Sequence, residues 1–192
     1  KHIGLASDYM KIIEDNIRIP IQLVKTEDWS ESIKKAKDRE CDIFSMVPII
    51  EERKEYMNFT SPYLEIPMVL VTKSNQQFID NVESILDKKI GIVKSYSISS
   101  ILKNQYPNIN IVDVASINDG LKQVESGKIF AFIDNLATIN YEIQKDFLTI
   151  LKVSGRLEYK LKYRVATRSD EPILNNIFEK VIINIDQNSK DK

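Results

Sequence analysis

The chain has 192 residues, of which 43% are hydrophobic and 29% charged, a balance typical of soluble globular proteins. Its formal net charge is -1, and its lysines are scattered among acidic residues, which argues against nucleic acid as a partner. Cys41 is the single cysteine, so an internal disulfide is excluded. The sequence contains neither a signal-peptide pattern nor an apolar run of ~18 residues that could span a membrane. Because it starts without methionine, we interpret it as a fragment of a longer protein.

The first part of the chain predicts alternating helices and strands. An amphipathic helix is indicated by apolar residues at helical spacing, namely Leu5, Tyr9, Ile12, Ile13 and Ile17. Ile19–Val24 predicts a strand, and Asp28 or Ser30 can cap a short helix after it. Asp42–Val47 predicts the next strand. This order favours a parallel sheet with right-handed crossovers, in which functional loops follow the carboxyl ends of strands.

A second series of elements follows the polar stretch after Lys73. Strands are predicted at 67–73, 89–93, 109–114, 130–134 and 160–167, and helices at 97–106, 116–126, 135–145 and from Pro172 onward. Ser116 with Asp119 resembles a capping box, and Gly127 stands where a helix C-terminal glycine is expected. We expect the chain to leave its first lobe in the polar stretch and to return along the strand 160–167.

Arg53 is the first candidate for a binding residue, because it follows the predicted strand 42–47 in the stretch Asp42–Tyr63. Its guanidinium group offers a planar fork of donors that can hold a carboxylate through two charge-assisted hydrogen bonds. A strand end, a cation and the aromatic turn NFTSPY together indicate a site for a small anion. The alternative is a surface arginine paired with a neighbouring acid, Glu51, Glu52 or Glu55.

This stretch resembles the signature of the family 3 extracellular solute-binding domains, which are type II periplasmic-binding or Venus-flytrap modules. The matching residues are Asp42, Arg53, Phe59, Thr60, Ser61, Pro62 and Tyr63. Residues 89–96, 120–127 and 132–137 resemble the second lobe of the family, most closely the sensors of bacterial histidine kinases and diguanylate cyclases. The resemblance implies an α/β fold of two lobes, each a mostly parallel sheet flanked by helices, with a cleft between them.

The family pattern also gives the expected domain limits. Residues 1–72 with 165–192 would form the first lobe, and residues 73–164 the second. The family has a first strand before the helix that starts near Leu5, and no sequence for that strand is recognisable here. We therefore expect the first-lobe sheet to lack a strand unless another segment or chain covers the gap.

In the resembling family, the residue matching Arg53 binds the α-carboxylate of the ligand, and an acid matching Asp134 pairs with its ammonium group. Asp134 ends the apolar run FAFID, so its carboxylate is expected at the tip of a buried strand. The alternative for Asp134 is an N-cap of the helix that follows.

The remaining candidates lie on the turn after strand 89–93 and near Arg53. Ser95, Tyr96 and Ser97 precede a helix, where free N–H groups can face an anion and Ser97 can act as the N-cap. Ser45, Met46 and Tyr63 complete the predicted ligand-binding set. Pro48 and Ile50 stand where amino-acid binders carry hydroxyl side chains, which leaves a different small carboxylate or amine as a possible ligand.

Enzymatic chemistry has little support in the sequence. The single histidine, His2, lies at one end, and no glycine-rich phosphate loop is present, so we expect no catalytic residues, no metal and no cofactor. Some relatives of the fold are dehydratases, and an enzyme would need an acid/base pair that is not evident here.

We predict a sensor domain on the periplasmic or extracellular side of the inner membrane. It would bind an amino acid or a small carboxylate by hinge closure and act on a membrane-attached output domain, with a homodimer as a further possibility. The alternatives are the solute-binding component of an ABC amino-acid transporter and a flytrap domain that binds no ligand and acts as a spacer.

Overall fold

The computed structural model describes residues 4–185, so His2 lies outside the described part. The chain forms two compact units, Lys1–Glu65 with Lys162–Lys192, and Ile66–Leu161. Two strands run from one unit into the other, β3 (Leu64–Lys73) and β7 (Leu151–Arg168). The predicted lobe limits, after residue 72 and before residue 165, fall inside these two strands.

The first unit places short strands beside the end of β7. Its other elements are α1 (Leu5–Ile17), α2 (Trp29–Lys37), β1 (Ile43–Val47), α3 (Glu51–Lys54), β2 (Met57–Phe59) and α7 (Pro172–Ile183). Both β1 and β2 pair antiparallel with β7, with Phe44 and Phe59 each opposite Ala166. A core beneath α1 and α7 includes Ile13, Val165 and Phe178.

The second unit contains the parallel part of the fold. Its elements are β4 (Ile90–Val93), α4 (Ser97–Gln105), β5 (Ile111–Val114), α5 (Ile117–Ser126), β6 (Ala131–Asn135) and α6 (Leu136–Glu142), with most of β3 and the first part of β7. The strand order is β7-β3-β6-β4-β5. β4 is parallel to both β5 and β6, and β3 is antiparallel to β6. Carboxyl ends of parallel strands thus lead into α4 and α6.

Several helix ends form as the sequence predicts. Asp28 caps α2 by accepting a hydrogen bond from the Glu31 backbone N–H at 2.8 Å. Ser116 caps α5 through the N–H of Asp119 at 3.1 Å. Gly127 ends α5 with φ of 79°, the left-handed region in which glycine carries no steric penalty. These local signals therefore fix where the helices begin and end.

The strand predicted at Ile19–Val24 is wrong, because these residues form neither helix nor strand. Leu23 is 55% exposed, and the segment lines one side of a cavity of about 820 Å³ whose other side includes β1. A strand needs a neighbour for its ladder hydrogen bonds, and among residues 4–185 β1 pairs only with β7. The parallel arrangement predicted for this lobe is likewise absent from its described strands, all of which pair antiparallel.

Candidate functional site

Arg53 lies on α3 and is 2% exposed, packed inside the first unit. Its Nη1 donates to the Pro48 carbonyl at 3.1 Å, and its guanidinium carbon lies 5.2 Å from the centre of the Trp29 ring. Its Nε has no partner within residues 4–185. The alternative of a surface arginine paired with Glu51, Glu52 or Glu55 is wrong, since Arg53 is buried and forms no described salt bridge. Glu51 and Glu52 pair instead with Lys54 and Lys37.

Arg53 is therefore buried and forms no described salt bridge. Burial lowers the pKa of Arg53, and the nearby Tyr56 hydroxyl opposes that change, whereas the charge of neighbouring Glu52 is the smallest of the contributions that raise the pKa. Guanidinium groups nevertheless stay protonated in proteins, so the first unit keeps a desolvated positive charge. Such a charge is costly unless an anion is close, and a ligand carboxylate would offset the cost.

Ser45 and Met46 lie in an irregular part of β1, where the pairing register with β7 shifts between Phe44 and Val47. The Tyr63 hydroxyl donates to the Ser45 carbonyl at 2.8 Å, so the structure brings two of the predicted binding residues together. Tyr63 itself is 4% exposed, and burial raises its pKa. Its hydroxyl thus supports the backbone of β1. Irregular strands of this kind are frequent beside functional sites, and ligand contact by these three residues stays a prediction.

Asp134 lies in β6 of the second unit and is 2% exposed. Its Oδ1 accepts hydrogen bonds from the Asn135 backbone N–H at 2.6 Å and from Asn135 Nδ2 at 2.9 Å. Its Oδ2 is buried and has no partner in the described part of the chain. Burial raises the pKa of Asp134 to about 6, and the two hydrogen bonds from Asn135 oppose the rise.

Asn135, which the sequence reasoning did not select, caps α6. Its side-chain oxygen accepts a hydrogen bond from the Thr138 N–H at 2.9 Å. The alternative that Asp134 is the N-cap is therefore wrong, and its carboxylate is free of that role. Asparagine is among the preferred N-cap residues, so the asparagine between the apolar strand and the predicted helix was the signal that could have identified this cap.

The turn before α4 carries the other three candidates. Ser95 has φ of 65°, a left-handed conformation that is uncommon for residues other than glycine. The N-cap is Tyr96, whose side chain makes no capping bond, and Ser97 is the first residue of the helix. The prediction that Ser97 is the N-cap is therefore wrong, because Tyr96 adopts the extended backbone that precedes the helix. The Tyr96 pKa is raised to about 12 by burial and, secondarily, by the Asp134 carboxylate.

The eight candidates thus divide between the units. Ser45, Met46, Arg53 and Tyr63 belong to the first, and Ser95, Tyr96, Ser97 and Asp134 to the second. Each unit contains one buried charged group that forms no described salt bridge and has one atom without a described hydrogen bond, Arg53 Nε in the first and Asp134 Oδ2 in the second. Nowhere in residues 4–185 do three His, Cys, Asp or Glu side chains gather into a possible metal site. None of the described helices has the length and apolar character needed to cross a membrane.

Comparison with known proteins defines the class. The family model of the bacterial extracellular solute-binding proteins, family 3, matches residues 1–191, and the chain belongs to this family. The virulence sensor protein BvgS of Bordetella pertussis is 18% identical over 183 residues, covering 95% of this chain and 15% of that protein. The chain thus spans about a sixth of that relative. A probable histidine-binding protein of Neisseria gonorrhoeae is 24% identical over 168 residues, covering 82% of this chain and 62% of that protein.

A solved structure extends the comparison to the fold. The periplasmic VFT2 domain of Bordetella pertussis BvgS aligns with a TM-score of 0.88 at 17% identity, covering 97% of this chain and 80% of that one. The predicted type II periplasmic-binding fold is therefore confirmed, as is the predicted relation to sensor kinases. The chain is a Venus-flytrap domain of a solute-binding family, and no catalytic family is indicated.

Proposed function

We propose that this domain binds a small solute carrying a carboxylate and an ammonium group, such as an amino acid, by hinge closure of its two lobes. The observation that supports the proposal is the pair of buried charged groups that form no described salt bridge, Arg53 in one unit and Asp134 in the other. A zwitterion supplies the missing partner of each group. A small carboxylate without an amine would satisfy Arg53 alone and is expected to bind more weakly.

The carboxylate end is assigned to Arg53. One nitrogen is held by the Pro48 carbonyl and the guanidinium plane rests near Trp29, so the fork is oriented before the ligand arrives. The buried Nε is left as a donor. Preorientation reduces the rotamer entropy that binding removes, which favours a charge-assisted bond to a carboxylate.

The ammonium end is assigned to Asp134, whose Oδ2 is buried and without a described partner while Asn135 holds Oδ1. The ring of Tyr96 and the N-terminus of α4 at Ser97 would shape the surrounding wall. Buried carboxylates are normally paired, so a positively charged ligand group is the partner that best fits the orphan oxygen.

The biological role we propose is that of a sensor on the periplasmic side of the inner membrane, acting as a homodimer on a membrane-attached output domain. The likeness over 95% of the chain to a virulence sensor protein supports this role. The second candidate is the binding component of an amino-acid transporter, which the likeness to a probable histidine-binding protein favours. In both roles the ligand shifts the equilibrium toward the closed state by its greater affinity for that state.

The test is thermal melting against a panel of amino acids and small carboxylates. A ligand at one hundred times its dissociation constant should add about 2.7 kcal/mol to the free energy of unfolding. We expect amine-bearing carboxylates to raise the melting temperature of the native domain and of the control variant Lys54→Ala, which removes a neighbouring exposed cation that pairs with Glu51. The shift should be lost in Arg53→Ala and in Arg53→Lys, which keeps the charge without the fork.

A lost melting shift in an arginine variant must be distinguished from a loss of folding. Circular dichroism of each variant shows whether it is folded before ligand is added. If the native protein is folded and no member of the panel stabilises it, the proposal is contradicted and the role of a spacer that binds no ligand is favoured. A shift that survives in Arg53→Lys would mean that charge alone, rather than the fork, holds the ligand.

A further inference from the structure

We propose that Asp134 couples ligand binding to a proton, so that the cationic group of the ligand and a proton compete for the same buried carboxylate oxygen. The inference rests on the proposed function and extends it to the control of binding by acidity. Acidification would release an amine-bearing solute, and binding of that solute would release a proton. The domain would then report solute and acidity together.

The geometry behind this inference is the unequal use of the two Asp134 oxygens. Oδ1 is occupied by both N–H donors of Asn135, at 2.6 and 2.9 Å. Oδ2 is buried and receives no hydrogen bond from residues 4–185. An ionised carboxylate with one bare oxygen is unfavourable in a site shielded from water, so the oxygen favours either a proton or a cation. A proton and a ligand cation would therefore compete for the same oxygen, Oδ2.

The elements around Asp134 within the second unit supply no competing cation. On β3 the residue opposite is Val69, and parallel β4 ends nearby in Val93. Lys73 on β3 lies beyond Val71, which is opposite Phe132, and so is at the other end of β6 from Asp134. Lys94, which follows β4, forms no described ion pair or hydrogen bond with Asp134.

Tyr96 is the titratable side chain that couples to Asp134 from the turn before α4. The pKa of Tyr96 is about 12, so its hydroxyl remains neutral throughout the range in which Asp134 titrates. The helices that begin beside Asp134 present the uncharged residues Ser97 and Asn135. The proton affinity of Asp134 is therefore set by burial, which raises its pKa to about 6, rather than by a fixed ion pair.

The direction of the pH effect follows from linkage. Below about pH 6 the empty site holds a proton that an ammonium group must displace, so the affinity for an amine-bearing ligand falls about tenfold for each further pH unit. Above that pH the carboxylate is already ionised, so the affinity for the ligand no longer changes with pH. A carboxylate ligand without an amine gains nothing from ionised Asp134, so its affinity would stay level or rise on acidification.

The first experiment is a calorimetric titration of a stabilising ligand from the panel, from about pH 5 to about pH 8. We expect the native domain and Asp113→Asn, which removes an exposed carboxylate of the same unit, to show the tenfold loss per unit on the acid side. Asp134→Asn should bind more weakly at neutral pH, and its affinity should change little with pH. A level profile for the native domain would overturn the inference while leaving the proposed function intact.

A second measurement does not need a ligand. The carboxyl carbon of Asp134 can be followed by NMR in the empty domain and assigned by its absence in Asp134→Asn. A midpoint near 6 supports the inference, and a midpoint at the ordinary aspartate value of 3.8 would overturn it. If no compound in the panel binds, the proposed function fails, and this titration still decides whether Asp134 takes up a proton.

Discussion

Asp134 lowers the stability of the empty domain at neutral pH, because folding moves its carboxylate away from water without a partner for Oδ2. Its pKa is about 6 in the folded state against an ordinary value of 3.8, so the folded state binds the proton more tightly. The free energy of unfolding therefore falls as pH rises from about 4 to about 6 and is level above. Two pKa units correspond to about 3 kcal/mol.

We therefore expect Asp134→Asn to stabilise the ligand-free domain at pH 7 by up to about 3 kcal/mol, since the amide oxygen still accepts from Asn135. The gain should disappear near pH 4, where the native carboxyl is also neutral. Urea unfolding at both pH values measures the difference, with Asp113→Asn as the control. Destabilisation by Asp134→Asn at pH 7 would contradict this expectation.

At this scale the sequence predicts some caps, such as Asp28 and Ser116, and misses others. Arg53 was selected because it follows the predicted strand 42–47 and matches the family signature, and Asp134 because it ends the apolar run FAFID; their contact with a ligand stays a prediction. The caps Tyr96 and Asn135 were missed, because an N-cap is defined by the backbone angles of one residue, and several polar neighbours compete for it. The burial of Arg53 depends on Trp29, which lies 24 residues earlier in the chain, and no local pattern reports that contact.

Among the secondary-structure elements, Ile19–Val24 shows how tertiary context overrides propensity. The segment has the β-branched composition of a strand, yet it lacks a described ladder partner. Most helices and the strands β4, β5 and β6 were predicted close to their observed bounds because their periodicity and caps are local. The predictions missed α3, β2 and the first half of β7, for which a strand was predicted only at 160–167. A strand, in contrast, exists only if another strand lies beside it, and sequence alone did not supply that neighbour.

We accordingly expect the amides of residues 21–24 to exchange with deuterium quickly, whereas those of β4, which pairs on both sides, exchange slowly. Mass spectrometry of peptic fragments measures both segments in one experiment. Protection of 21–24 equal to that of β4 would contradict the expectation. Protection that grows with protein concentration would mean that a second copy supplies the neighbouring strand.

In the whole molecule, each unit has its own hydrophobic core. Phe132 is fully buried in the second-unit core, and Phe178 is 2% exposed in a core of the first. Trp29, the single tryptophan, lies on α2 of the first unit, 5.1 Å from the Phe44 ring between ring centres. Its fluorescence therefore reports the first unit alone, while far-ultraviolet circular dichroism reports both.

These separate cores predict that the units unfold in part independently when no ligand is bound. Phe132→Ala should destabilise the second unit by about 3–5 kcal/mol, lowering the urea midpoint of the dichroism signal more than that of Trp29 fluorescence. Phe178→Ala, the matched change in the first unit, should lower the fluorescence midpoint most. Equal shifts of both signals in both variants would show one cooperative body.

Ligand should remove the difference between the two signals. If the solute requires both Arg53 and Asp134, as we propose, it binds only when both units are folded, so its binding free energy is lost when either one opens. In saturating ligand the two midpoints of Phe132→Ala should therefore converge. They should stay apart in the double variant Phe132→Ala/Arg53→Lys, which lacks the guanidinium fork that we propose holds the ligand carboxylate. If the two midpoints also converged in the double variant, the carboxylate contact of residue 53 would not be what couples the unfolding of the two units.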